Sequence, residues 1–353
     1  MDDLGQILVT GGAGFIGCSL SQQLAEQAKR WVVVDSLHPQ VHPGRTPPRG
    51  LSTAAELRIG DVTVPEMWDG LLDQFRPDIV VHLAAETGTA QSLDEATRHA
   101  SVNVVGTTAM LDAFARHDVF PSRFVLSSSR AVYGEGDWED NEGRCFQPGM
   151  RTHAQLESGK WDFPSATPLP SSADRTVPSP TSVYGATKLA QEHVLTAWSG
   201  ARGSQVSVLR LQNVYGPGQS LSNPYTGIVS LFSQIARRGE SIPVYEDGLI
   251  TRDFVFIDDV ADAFANVLHR TPTASIERFD VGSGSPSTVL ELATEIANYY
   301  DAPSPHVTGA YREGDVRYAA CELDAMTAQF DWSPQWDLSR GVQRLQQWIA
   351  DSA

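Results

Sequence analysis

Ile7-Leu8-Val9-Thr10-Gly11-Gly12-Ala13-Gly14-Phe15-Ile16-Gly17 reads as a short strand, a glycine turn and the start of a helix. A brief, continuous aliphatic run closed by glycines is the pattern of a strand covered on both faces. The glycines that matter fall at Gly11, Gly14 and Gly17. Gly11 permits a tight turn, Gly14 lets a pyrophosphate approach the backbone, and Gly17 lets the helix sit close to the strand. Phe15 and Ile16 open that helix, whose free N–H groups and partial positive charge face the phosphates. The helix is expected to run from Phe15 to Lys29. The next strand, Trp31–Asp35, ends in an acid at about the 20-residue offset that a dinucleotide-binding fingerprint requires. Asp35 can accept hydrogen bonds from ribose hydroxyls and repels a 2′-phosphate, so the pattern points to NAD rather than NADP.

The same rhythm continues outward. Leu57–Ile59, Ile79–Leu83, Phe124–Ser128 and Val206–Leu211 are further short apolar runs separated by helical patterns. They predict an α/β Rossmann fold: a doubly wound parallel sheet, with a smaller mixed C-terminal substrate-binding lobe. Asp61-Val62 follows the third run and is placed at the adenine. Leu83-Ala84-Ala85 ends the fourth, where small side chains let a cofactor lie close. Asn103, on the helix that follows, joins the cofactor set. A later helix is expected after Tyr184, with Leu189, His193 and Val194 on one face. Two segments break the rhythm. Residues 36–55 read as a long loop. Residues 135–180 are rich in Pro, Ser, Gly and charge around Trp138 and Trp161, and read as an insertion that is either a lid over the substrate or a disordered surface segment. The sheet domain is therefore expected over 1–215 plus about 250–270, interrupted at 135–180. The smaller lobe takes 216–249 and 271–353.

Composition narrows the function. The chain has 353 residues, is 41% hydrophobic and carries a net charge of −17. Such an acidic surface repels phosphate backbones, which argues against nucleic-acid binding. An anionic small molecule needs a local basic pocket. No stretch is apolar enough to span a membrane, so no membrane association is expected. The start, Met1-Asp2-Asp3-Leu4-Gly5, has no basic region and no signal-peptide core. Cys18, Cys145 and Cys321 are far apart, so neither a disulfide framework nor a metal site is expected, and the setting reads as cytoplasmic.

Tyr184 and Lys188 stand four residues apart, one above the other on a helix. A free phenol is a poor base at neutral pH. A neighbouring ammonium stabilises its phenolate, and such a tyrosine can take a hydroxyl proton while the carbon gives hydride to NAD. Lys188 can also hold the nicotinamide ribose. Phe124-Val125-Leu126-Ser127-Ser128-Ser129 ends a strand in hydroxyls, at the edge where open α/β sheets bind ligands. Ser129 can hydrogen-bond the reacting oxygen and share its proton with Tyr184.

Together with Arg210–Pro217, Arg252–Val260 and Arg312-Glu313-Gly314-Asp315, these stretches resemble the extended short-chain dehydrogenase/reductase family of nucleotide-sugar epimerases and dehydratases, over nearly the whole chain. Ala84–Ser92 and Ser128–Gly136 are most similar to its dTDP-L-rhamnose 4-epimerase branch. The resemblance implies an enzyme that binds NAD and a nucleotide sugar, inverts a 4-hydroxyl through a transient 4-keto sugar, and forms a homodimer through two helices per subunit. It places Thr87, Thr89, Ser129 and Arg130 near the sugar and Asn213 at the sugar-side phosphate. It sets Arg252, Arg312 and Asp315 at the pyrophosphate end, with Val244 and Tyr245 along the base. Where family dehydratases carry an Asp-Glu pair, this chain has Arg130-Ala131, which cannot serve as acid and base. A net dehydrogenase or 4-ketoreductase, a dehydratase of the same fold and a non-catalytic NAD sensor are the alternatives. Ser129 and Tyr184 lie 55 positions apart, beyond the usual family gap, which puts the role of the intervening insertion in question.

Overall fold

A computed structural model describes residues 4–221 and 227–351; the N-terminal residues Met1-Asp2-Asp3 lie outside them. Seven strands form one sheet: β1 (Gln6–Thr10), β2 (Arg30–Asp35), β3 (Ala55–Ile59), β4 (Ile79–His82), β5 (Arg123–Ser129), β6 (Gln205–Leu211) and β7 (Ile276–Val281). Their order is β7-β6-β5-β4-β1-β2-β3, all parallel. Leu8 faces both Val32 and Val80 in register.

Alternate side chains of these strands enter opposite cores. Ile7, Val9, Val33, Val81 and Val125 pack with Leu20, Leu24, Phe264 and Leu268 on one face. Leu8, Val32, Val80, Phe124 and Leu126 pack with Trp68, Leu72, Phe114 and Leu195 on the other. Each fully buried aliphatic contributes about 1.5–3 kcal/mol, which is why the inner strands β1, β2 and β4 read as aliphatic runs, while the edge strand β3 alternates with Glu56 and Arg58. The chain crosses from the far edge, β3, to β4 on the other side of β1. That reversal opens a crevice beyond the carboxyl ends of the strands. No described helix is long and apolar enough to cross a membrane.

Several expectations need correction. The first helix is Phe15–Leu24, followed by a 3-10 turn at Ala25–Gln27, and stops short of Lys29. Lys29 N–H donates to Gly5 O and Leu4 N–H to Gln27 O, each at 3.0 Å, so the chain is already turning into β2. Ile276–Val281, assigned to the lobe, is the edge of the large sheet. Its sequence hides this: Glu277, Arg278 and Asp280 interrupt the apolar run, while Phe279 and Val281 alone enter the core. Helix Asp324–Phe330 follows it there, with Phe330 5.2 Å from Phe279. In helix Val183–Arg202 the buried stripe is Thr187, Lys188, Gln191, Glu192, Leu195 and Ser199. The expected face was wrong: His193 is exposed, and Leu189 and Val194 are half-buried.

The smaller lobe has its own core. Phe232, Ile242, Phe254, Leu292, Ile296, Leu345 and Ile349 meet between helices Ile228–Arg237, Val289–Tyr299 and Leu338–Asp351. The insertion at 135–180 is not disordered. It forms a three-stranded antiparallel sheet, Trp138–Asp140, Cys145–Phe146 and Ala166–Pro168, with helix His153–Glu157, and it buries Trp138, Arg151 and Leu156.

The helix start packs directly on the turn after β1 at Gly17, where a Cβ would stand 2.4 Å from the Gly12 Cα. Gly17→Val is therefore expected to lower stability by roughly 1–3 kcal/mol, as overpacking does, and to release bound dinucleotide. Urea unfolding and the absorbance of the protein-free filtrate check both; an unaltered midpoint would contradict the close packing.

Candidate functional site

A cleft of about 640 Å³ runs across the carboxyl ends of β1, β2, β4 and β5. Every residue expected at the cofactor lines it except Asn103: Gly11, Gly14, Phe15, Ile16, Gly17, Asp35, Asp61, Val62, Leu83, Ala84, Ala85, Tyr184 and Lys188. Gly11 has φ +67°, and a Cβ there would stand 2.7 Å from the Ala84 backbone, so only glycine lets the turn sit against the end of β4. Asp35 is pinned by two backbone donors, Ala13 N to Oδ2 at 3.1 Å and Leu37 N to Oδ1 at 2.9 Å. Each carboxylate oxygen keeps a lone pair for a ribose hydroxyl. The shape and donors of the cleft thus fit an NAD-sized dinucleotide.

Asn103 does not line the cleft. It lies buried in the π-helical turn Ser101–Val105. Its Oδ1 accepts from Glu86 N at 2.7 Å, and its Nδ2 donates to Glu86 O at 3.0 Å and Thr187 Oγ1 at 2.9 Å. These bonds tie the loop after β4 to helix Val183–Arg202 and leave one lone pair of Oδ1 unspent.

Ser182 caps that helix, its hydroxyl accepting from Gly185 N at 3.0 Å. The cap puts Tyr184 in the first turn and Lys188 one turn on. A Cβ on Gly185 would lie 2.4 Å from the Ala131 carbonyl, so the helix start rests directly on the turn Arg130–Tyr133. Ser129, the last residue of β5, accepts from Ala131 N at 3.1 Å and lines the same cleft as Tyr184 and Lys188. Burial holds the Tyr184 phenol above its ordinary value, with the Ser129 hydrogen bond and the Arg130 charge opposing but not cancelling that rise.

Burial brings Lys188 down to about 7. Its Nζ donates to Gln191 Oε1 at 2.6 Å. Hydrogen-bond accounting fixes the orientation of that amide. Thr107 Oγ1 donates to Asn103 O at 2.6 Å, so it can only accept from Gln191 Nε2 at 3.0 Å. Thr107 also lies 2.9 Å from His82 Nε2, and Thr10 Oγ1 lies 2.6 Å from His82 Nδ1. His82 is held neutral by burial, its value lowered to about 3. This polar floor was not anticipated. Its signals were a histidine ending an otherwise aliphatic strand and a glutamine three residues after Lys188.

The remaining substrate candidates lie beyond the cofactor half. Arg252 Nη2 contacts Asp315 Oδ1 at 2.6 Å. Arg130 is half-buried, and burial, then the neighbouring Arg252 charge, bring it down to about 10. The Arg312 guanidinium lies 5.0 Å over the Tyr245 ring. Asn213 Oδ1 is buried with no hydrogen-bond partner. Thr87 lines the cleft, whereas Thr89 is not part of its wall and its carbonyl accepts from Ser92 Oγ at 2.7 Å. Val244 is fully buried in the lobe core and its carbonyl accepts twice from Thr308, so it backs the surface instead of forming it. Among the described residues no group of three or more His, Cys, Asp or Glu could hold a metal ion.

Gln191→Met removes the carbonyl that stabilises the Lys188 ammonium. Because losing an acceptor disfavours the charged form, the alkaline limb of the kcat–pH profile is expected to move to lower pH. An unshifted limb in a folded variant would show that Gln191 does not hold the ammonium.

Comparison with known proteins places this geometry. Residues 7–282 match the model of the NAD dependent epimerase/dehydratase family. The chain is 59% identical over 345 residues to a dTDP-L-rhamnose 4-epimerase from Burkholderia thailandensis, covering 98% of this chain and 95% of the relative. Among solved structures, the UDP-glucose 4-epimerase of Thermotoga maritima with UDP-glucose superposes with a TM-score of 0.80 at 27% identity, covering 98% of this chain and 99% of that one. The UDP-glucose 4-epimerase of Thermus thermophilus in complex with NAD gives a TM-score of 0.76 at 25% identity, covering 98% and 99%. Because the family match begins in the first strand of the sheet and ends one residue past its last, taking in the whole crevice between, the chain belongs to the NAD dependent epimerase/dehydratase family.

Proposed function

We propose that this protein inverts the 4-hydroxyl of a nucleotide-activated sugar, with a dTDP-activated 6-deoxyhexose of the L-rhamnose type as substrate. The observation that carries the reading is the complete Ser129–Tyr184–Lys188 set beside Arg130-Ala131, in a chain 59% identical to a dTDP-L-rhamnose 4-epimerase. Asp35 would hold the adenosine ribose, the Gly11–Gly17 turn the pyrophosphate, and Tyr184 and Lys188 the nicotinamide ribose. NAD, when bound, supplies a reversible hydride acceptor at the sugar carbon.

The residues of the chain handle the proton. Tyr184 takes it from the 4-hydroxyl while Ser129 hydrogen-bonds the reacting oxygen, and Lys188 stabilises the phenolate. The resulting 4-keto sugar turns in the pocket. Tyr184 then returns the proton to the same oxygen once the opposite face of the carbon is presented. Arg130 leaves the pocket without the acid–base pair that eliminating water from the sugar requires. The polar surface toward the pyrophosphate is supplied by Arg252, Arg312 and Asn213, a local basic patch on a chain of net charge −17.

The reading extends to a cytoplasmic homodimer. Val105 is 51% exposed and Leu189 is half-buried on helix Val183–Arg202, the apolar surface a second subunit would cover. The three cysteines are free thiols, as a reducing compartment leaves them.

Tyr184→Phe is expected to cut kcat about 10²–10⁴-fold, the usual contribution of a general base, with dinucleotide still bound; near-normal turnover would refute its role. In a panel of dTDP-, UDP- and GDP-sugars followed by NMR, the dTDP-6-deoxyhexose should give the inverted product with no net change in NADH absorbance. Steady accumulation or consumption of NADH would assign a dehydrogenase or ketoreductase instead.

A further inference from the structure

The insertion at 135–180 reaches the substrate end of the molecule through a buried cluster of charges. Arg151 is 1% exposed. Its guanidinium donates to Glu246 Oε2 at 2.9 Å, to Trp161 O at 3.2 Å and to Asp315 O at 2.9 Å. It also lies 2.8 Å from Glu246 Oε1 and 3.3 Å from Glu135 Oε1. Glu135 in turn accepts from Arg317 N at 2.9 Å. Arg317 forks between Asp162 of the insertion, at 2.7 Å, and Asp247 of the lobe, at 2.7 Å. Nearer the surface, His153 Nδ1 meets Glu313 Oε1 at 2.6 Å, and the Trp161 and His153 rings lie 6.3 and 6.2 Å from Tyr311.

The ties of Arg151 and of the surface rings converge on two stretches beside the basic patch. One is the loop Tyr311–Asp315, held at its start by rings and at its end by Arg151 on the Asp315 carbonyl. The other is Tyr245-Glu246, where Tyr245 lies under Arg312 and Glu246 is gripped by Arg151. Asp315 then spends its carboxylate on Arg252 at 2.6 Å. Burial works against its charge, but Arg252, Arg130, Arg151 and Arg312 together hold it below the ordinary carboxylate range. A buried ion cluster of this kind contributes little net stability. It does fix geometry, because a planar guanidinium donates in fixed directions and Arg151 and Arg317 each reach groups on both the insertion and the lobe.

We propose that the insertion is a brace and Arg151 its positioning residue: Arg151 sets the separation of the Arg252 and Arg312 guanidinium groups and thereby the affinity for the nucleoside-diphosphate end of the substrate. The brace rests on the proposed nucleotide-sugar reading. It predicts that loosening Arg151 weakens binding and leaves the proton chemistry at Tyr184 alone.

The test uses the full-length protein with its bound dinucleotide. Binding of dTDP, which lacks the sugar, is measured by calorimetry, and KM and kcat are measured on the dTDP-sugar. Arg151→Lys keeps the charge and loses the fork; it is expected to weaken dTDP binding and raise KM about tenfold, with kcat and dinucleotide content close to wild type. Because a disturbed buried cluster can prevent folding, the surface pair His153→Ala and Trp161→Ala is tested alongside and should raise KM several-fold at unchanged kcat. Unchanged dTDP affinity in the folded variants, or a fall in kcat with KM unaltered, overturns the brace. Failure of the wild-type protein to bind any nucleoside diphosphate overturns the substrate reading itself, and the brace with it.

Discussion

The backbone of Gly185 rests against the Ala131 carbonyl, with no room for a Cβ between them. Ser129 ends a strand and Tyr184 begins a helix, and the whole 135–180 segment separates them in sequence. They share a cleft because this one contact seats the helix on the turn that follows the strand. The same contact sets Arg130 beside the phenol. The Ser182 cap fixes where the helix starts, and therefore that Tyr184 and Lys188 occupy its first two turns.

Seating a polar helix face in the middle of the molecule has a cost, and the structure offsets it by completing nearly every hydrogen bond. Lys188, Gln191 and Glu192 all point inward from helix Val183–Arg202. Glu192 accepts from Ser128 at 2.5 Å and from both arms of Arg210 at 3.0 and 2.7 Å. Arg210 lies over the Tyr133 ring, and the Tyr133 hydroxyl donates to Asp280 at 2.8 Å. Buried polar groups cost little only when they are all paired. The stability of the domain comes from the two aliphatic cores on either side of the sheet, which leaves this layer free to specify positions.

What could be read beforehand follows the same division. The turn Gly11–Gly17, Asp35, Ser129 and the Tyr184–Lys188 pair were legible because local geometry demands those residue types at those spacings. The inner strands were legible because a strand covered on both faces must be largely apolar, and the edge strand β3 was legible from Leu57 and Ile59 despite Arg58. The seventh, Ile276–Val281, was not, since Glu277, Arg278 and Asp280 break up its apolar residues; and the buried face of helix Val183–Arg202 was misjudged because apolar periodicity cannot find a polar stripe. Val244 was placed along the base by resemblance, yet it fills the lobe core; Asn103 stands outside the cleft lining, with its amide bonded to Glu86 and Thr187. The insertion was opaque for a further reason. Its anchor, Arg151, is held by Glu246 and Asp315, partners about 95 and 164 residues away that no local pattern connects to it.

The account comes down to one carbon. If Tyr184 removes only the hydroxyl proton, the hydrogen on carbon 4 leaves and returns without meeting solvent. The decisive measurement is the fate of deuterium placed at carbon 4 of the dTDP-sugar, followed by NMR during turnover in ordinary water. The inverted product should keep its label at carbon 4. Washout into water, or its appearance at carbon 6, would contradict the mechanism and point to enolisation or elimination.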